Sequence, residues 1–337
     1  MAGMKKALFW IVAVLVMLVL VAGCGRQPEQ IEEPEELTKV TFATVHFIGE
    51  APSYVAYHNG YFEEEGLDVQ LEYSAAGKVS LQRLLDGEID IATCADTPIV
   101  YIAFERDDFY IIGSMVHSDK IAGVVARKDA GINSPADLVG KRVALFQGTA
   151  SDFLMDSFFV ANGLKDSDVE IVNLKPPEQV EAIVKGEIDV MFSWQPHILN
   201  ALNQLGENGI GLPSEGMKTL DWLILVRREY AEANPAVLEK FLRAIDKAED
   251  FIAENREAAI DLHSEESEMD RDIVDALWDD VSWELYLSES MLINMENQAR
   301  WAIDENRVDA TKVPNYLDWI YFEALEKVKP EAITIVR

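Results

Sequence analysis

The chain has 337 residues with a formal charge of -31 at pH 7, from 29 Lys and Arg against 60 Asp and Glu. That balance argues against nucleic acid as a partner, because neutralising phosphates takes clustered basic side chains. Two cysteines, Cys24 and Cys94, exclude a disulfide framework and any thiolate metal cluster.

The first 23 residues read as a targeting segment. Lys5 and Lys6 make a positive start, Ala7 to Leu20 is an uncharged apolar run, and small residues precede Cys24. Val21-Ala22-Gly23-Cys24 resembles a bacterial lipobox, in which the chain is cut before the cysteine and the thiol is acylated. The expectation is an extracytoplasmic protein held on the membrane through lipid on Cys24. Removing residues 1–23 takes away two lysines and no acid, so the mature charge is -33. Residues 24–37 are rich in Gly, Pro, Gln and Glu and read as a solvated tether.

Beyond the tether an internal duplication sets the architecture. Lys39 to Thr44 and Lys141 to Gln147 are strand-like runs, each followed 20 residues after Val40 or Val143 by Asn-Gly (Asn59-Gly60, Asn162-Gly163), which suits a helix end. Second strands follow at Asp68 to Tyr73 and Val169 to Leu174. Leu85-Asp86-Gly87-Glu88-Ile89-Asp90-Ile91 then matches Val184-Lys185-Gly186-Glu187-Ile188-Asp189-Val190. Strand–helix repetition of this kind predicts two α/β lobes built on parallel sheets, with a ligand cleft at the carboxyl ends of the strands. The expected segments are lobe 1 over 38–121, lobe 2 over 122–222, and 223–337 returning to complete lobe 1 with acidic helices. Ile121 to Arg127 and Trp222 to Arg227 are the expected crossings and hinges. Trp278, Trp283, Trp301 and Trp319 read as helix-packing residues, and Cys94 as a buried structural thiol.

At Gly60-Tyr61-Phe62-Glu63-Glu64-Glu65-Gly66-Leu67-Asp68-Val69, the two Gly-Glu-Ile-Asp segments, Gly140-Lys141-Arg142-Val143-Ala144, Gly148-Thr149-Ala150-Ser151 and Trp194-Gln195-Pro196, the sequence resembles the nitrate/sulfonate/taurine solute-binding family, also described as thiamine-pyrimidine-synthase-like periplasmic proteins. The resemblance covers residues 38–225 well and the helical tail more loosely. It implies a type II periplasmic-binding-protein fold that closes on a small ligand and docks on the membrane permease of an ABC importer. A monomer is expected, and no cofactor or metal. The alternatives are a binder of a thiamine-precursor aminopyrimidine, or an enzyme on the same fold in pyrimidine or menaquinone synthesis. No Gly-x-Ser-x-Gly elbow, His-Glu-x-x-His helix or Walker loop supports catalysis, and the expectation is that the protein is no enzyme.

The strand ends nominate the ligand site. Gly148, Thr149, Ala150 and Ser151 open a helix whose free N–H groups favour negative charge, although the same residues are ordinary caps. Gly77 and Lys78 start the second helix of the first half. His46 and His117 are candidate donors, Thr93 ends the third strand, and Trp194 is a candidate stacking wall. Asp96 and Asp221, with Asp119, fall at strand ends where the family often has small or neutral residues. One of them beside the ligand would suit an amine.

Overall fold

The computed structural model describes residues 36–214 and 216–336. The targeting segment, Cys24 and nearly all of the tether lie outside the described residues. Among the described residues no helix is long and apolar enough to cross a membrane.

Eleven strands are found in chain order: β1 Thr38–Val45, β2 Leu67–Ser74, β3 Ile91–Ala95, β4 Phe109–Ser118, β5 Ala122–Arg127, β6 Arg142–Leu145, β7 Glu170–Asn173, β8 Val190–Trp194, β9 Gly209–Leu212, β10 Leu220–Arg227 and β11 Ser282–Tyr286. They form two sheets. The larger has the order β11-β4-β10-β3-β1-β2 and the smaller β7-β6-β8-β5-β9. The repeat is visible in both, since β2-β1-β3 and β7-β6-β8 are parallel triplets in the same order.

The sheets are not parallel throughout. β10 runs antiparallel to β3 and β4, and β5 antiparallel to β8 and β9. A strand that arrives from the opposite lobe rather than through a helix has no need of a βαβ crossover, so it can enter in the reverse sense. The crossings also differ from expectation. β5 lies wholly in the smaller sheet and β10 wholly in the larger one. The chain therefore changes lobes in the short connections 119–121 and 213–219, not in the strands themselves.

The duplicated Gly-Glu-Ile-Asp segment has a physical reason. Each glycine ends a helix, Gly186 as the left-handed cap of Pro176–Lys185 with φ +76°. Each aspartate then ties its strand to the first strand of its half. Asp90 accepts from the Thr41 N–H at 2.9 Å and from its hydroxyl at 2.7 Å. Asp189 accepts from the Arg142 N–H at 2.9 Å and from its guanidinium.

Both faces of the smaller sheet are buried. Val124, Val143 and Phe192 pack on one side with Phe158, while Val125, Ala144 and Met191 pack on the other with Ile183 and Ile198. This is the two-sided burial expected of strands covered by helices. The larger lobe holds one continuous core, completed by the tail. The helix Pro235–Glu254 sets Phe241 against Phe42 and Phe62 with ring centroids 5.1 and 5.0 Å apart. Trp278 and Trp319 are buried in that core, and Cys94 is buried and free.

Candidate functional site

The carboxyl ends of the strands meet across a cavity of about 50 Å³ between the two sheets. From the larger lobe it is lined by the residues after β1 (His46, Phe47), after β2 (Ala75 to Lys78), by Ala95 and Pro98 after β3, and by Leu220 and Trp222 of β10. The smaller lobe contributes Thr149, Ala150, Trp194 and His197.

The floor is built from Phe47 and Trp222, whose rings pack with centroids 4.5 Å apart. The loop carrying Phe47 is fixed from below, because His263 on the helix Arg256–Ser267 donates Nε2 to the Phe47 and Ile48 carbonyls, at 3.2 Å each. Burial holds that imidazole down to about 4, so it is neutral at pH 7. Behind the floor lies fully buried Glu50. Its carboxyl accepts from Trp222 Nε1 at 3.1 Å, from the Ser53 hydroxyl at 2.9 Å and from the Thr93 hydroxyl. Burial pushes the Glu50 carboxyl up to about 7, against the pull of those hydrogen bonds.

The anion-favouring edge is the start of the helix Gly77–Leu85, whose N-cap, Ala76, supplies no side-chain hydrogen bond. The first N–H groups of an α-helix lack intrahelical acceptors and carry its positive end. Lys78 stands there as well. Its Nζ reaches across the cleft to the Gln147 carbonyl at 3.0 Å and lies 5.5 Å from the centre of the Phe146 ring. Glycine is required on both sides of this approach. A Cβ on Gly148, which has φ +71°, would lie 2.8 Å from Lys78 Nζ, and one on Gly77 would lie 3.0 Å from the Cys94 Cα and 2.9 Å from the Trp222 ring.

Of the residues nominated from sequence, the structure brings together His46, Gly77, Lys78, Thr149, Ala150 and Trp194 in the cavity wall. Gly148 lies beside Lys78 at its margin. Ser151, Thr93, Asp96, Asp221, His117 and Asp119 are not among the residues of that wall. Thr149 and Ser151 spend their hydroxyls locally: Thr149 donates to the Phe146 carbonyl at 2.6 Å, and Ser151 Oγ accepts from the Phe146 N–H at 3.0 Å. Thr93 is buried on Glu50. Asp96 is buried against Lys218 Nζ, at 2.9 and 2.7 Å from its two oxygens, with further donors from Asn294 at 2.7 Å and Gln298 at 2.5 Å.

Asp221 accepts from Asn294 at 2.8 Å and from Tyr286, and lies 3.1 Å from His117 Nδ1. His117 opens to a different depression, beside Ser282 and Glu284. Its hydrogen bond with Asp221 raises the imidazole above its ordinary range. Asp119 is exposed. Phe47, Trp222, His197, Glu50 and Lys218 were not singled out from sequence. Phe47 and Glu50 follow the nominated His46 in the segment His46 to Ser53 at the end of the first strand, and Trp222 heads a predicted strand, so these three carried a usable signal; His197 and Lys218 did not. Among the described residues no cluster of His, Cys, Asp and Glu is arranged to hold a metal ion.

The sequence profile of the NMT1/THI5-like family matches residues 48–259. A putative aliphatic sulfonates-binding protein of Bacillus subtilis is 26% identical over 279 residues, covering 81% of either chain. The taurine-binding periplasmic protein of Escherichia coli is 29% identical over 206 residues, covering 58% of this chain and 61% of its own. Both relatives are named as binding proteins. Among solved structures, the periplasmic aliphatic sulphonate binding protein of Escherichia coli superposes with a TM-score of 0.71 at 20% identity, covering 86% of this chain and 98% of that one. That likeness establishes the two-lobed periplasmic-binding-protein fold.

Proposed function

The chain belongs to the NMT1/THI5-like family, and from that premise we propose that it is the solute-binding component of an ABC importer, capturing a small sulfonate between its lobes. The observation that carries this reading is the single edge of the cavity where Lys78 and the uncapped start of the helix Gly77–Leu85 converge. Helix N–H groups and a lysine supply donors and positive charge, which suits the anion of a strong acid. The Lys78 bond to the Gln147 carbonyl gives closure a chemical trigger. An anion at this edge offers the ammonium a charged acceptor in place of a neutral carbonyl, while the second lobe stays in contact through its own helix start. The sulfonate relatives support the same class of ligand.

Lys78→Met keeps the aliphatic stem and removes the charge. Losing one charge-assisted hydrogen bond of this kind is expected to weaken alkanesulfonate binding about tenfold, or about 1.4 kcal/mol. Isothermal titration of both proteins reads the difference. Equal affinities would move the anion away from this edge, and no heat from any alkanesulfonate would remove the reading itself.

The lipobox-like tetrad extends the proposal to location. With Cys24 acylated, the protein is held at the extracytoplasmic face of the membrane on an acidic tether, within reach of its permease. Cells fed a labelled fatty acid are expected to mark the protein, and Cys24→Ala to lose the mark; equal label in both would end the lipoprotein claim.

A further inference from the structure

Resting on the sulfonate reading, we infer that the cleft selects sulfonates whose organic tail is uncharged and rejects a tail ammonium, as in 2-aminoethanesulfonate (taurine). Much of the lining is apolar, with Phe47, Trp194, Trp222, Leu220 and Pro98 among its residues. Among the described residues no Asp or Glu lines the cavity. An ammonium entering it finds no carboxylate to replace its water.

Four acids sit in the segments that bound the site, and none of them is among its lining residues: Asp221, Asp96, Glu50 and Asp152, the last of which accepts from the Gly148 N–H at 2.9 Å and the Tyr101 hydroxyl at 3.3 Å. Strand alternation puts Leu220 and Trp222 on the cavity side and Asp221 on the other. There Asp221 meets Asn294, Tyr286 and His117. Asp96 follows the lining residue Ala95 but points back to Lys218, Asn294 and Gln298. Glu50 is screened from the cavity by the Phe47 and Trp222 rings, and its oxygens take the Trp222, Ser53 and Thr93 donors. Its raised pKa, about 7, further reduces the charge it could offer.

Besides Thr149, whose hydroxyl donates to the Phe146 carbonyl, the polar group on the second lobe's side of the wall is His197. Burial holds it near 4, so it is neutral and offers one acceptor nitrogen and no charge. Aromatic faces attract cations, but the cavity already contains the Lys78 ammonium. A second cation would face that repulsion and its own uncompensated desolvation. A methyl group carries no charge to desolvate and can pack against the apolar part of the lining.

1-Propanesulfonate and taurine make the test, since they differ by a terminal methyl against an ammonium at nearly equal length. Titration calorimetry of the purified protein at pH 7.5 and fixed ionic strength is expected to show 1-propanesulfonate binding at least 30-fold more tightly. Taurine binding as tightly, or more tightly, would overturn the selectivity while leaving the sulfonate reading intact. Binding of neither, with longer alkanesulfonates also silent, would overturn both.

Discussion

Replacing Lys218 by methionine is expected to destabilise the protein by about 3–5 kcal/mol, the usual cost of stranding one member of a buried ion pair. Lys218 is fully buried in the connection 213–219, and its ammonium lies within 2.9 Å of both oxygens of equally buried Asp96. Without it, Asp96 keeps only the Asn294 and Gln298 amides. The carboxylate must then either stay charged in a medium that solvates it poorly or take up a proton. The double variant Asp96→Asn/Lys218→Met removes both charges and keeps an acceptor for the two amides. It is expected to recover most of the loss, since neutral replacements of a buried pair are often well tolerated. Urea unfolding at pH 7 reads both. A single variant within 1 kcal/mol of the parent, or a double variant no better than the single, would show that the pair is not stabilising the fold in this way.

The same residue connects stability to function. Lys218 lies in the second of the two lobe crossings, and its ammonium stands 5.8 Å from the centre of Phe153, on the second lobe's helix Ala150–Asn162. Asp96 and Gln298 belong to the first lobe. The pair therefore anchors the crossing to the larger lobe. Any opening of the cleft has to bend the chain beside this fixed point.

Nothing in the sequence marks Lys218. A lone lysine before an apolar strand reads as exposed, because lysine is almost never fully buried without a partner, and the partner is 122 positions away. The duplicated segments, by contrast, were legible because both copies play the same local part, with Asp90 and Asp189 each pinning a parallel triplet. Strand direction was less legible. The apolar run Trp222 to Arg227 carries no mark of whether it enters the sheet parallel or antiparallel, since period and burial are alike in both. At the site, position along the chain found the strand ends but not the side-chain direction. Leu220, Asp221 and Trp222 are neighbours in sequence, and the strand period alone divides them between the cavity and the buried polar cluster behind it.

Glu50 is expected to make the protein lose stability between pH 4.5 and 7, and Glu50→Gln to remove that part of the loss. Burial raises the folded-state carboxyl from 4.5 to about 7. The folded chain therefore holds a proton there that the unfolded chain has released. Its contribution is fully present below pH 4.5 and is lost as pH rises through about 7, a change of about 3 kcal/mol for a shift of this size. His197 and His263, both lowered to about 4, act in the opposite sense over part of the window, gaining stability as pH rises towards 6.5. The informative quantity is thus the difference between parent and variant at each pH, in which the histidines cancel. Glutamine fits the site. Its oxygen can accept from Trp222 and Thr93, and its amide can donate to the Ser53 hydroxyl and to the buried Thr44 hydroxyl beside it. Chemical denaturation from pH 5 to 8 is expected to show the variant gaining on the parent steadily until about pH 7, then running parallel to it. A difference that stays flat across the range would mean that Glu50 is ionised throughout, and that the floor formed by Phe47 and Trp222 rests on a carboxylate charge.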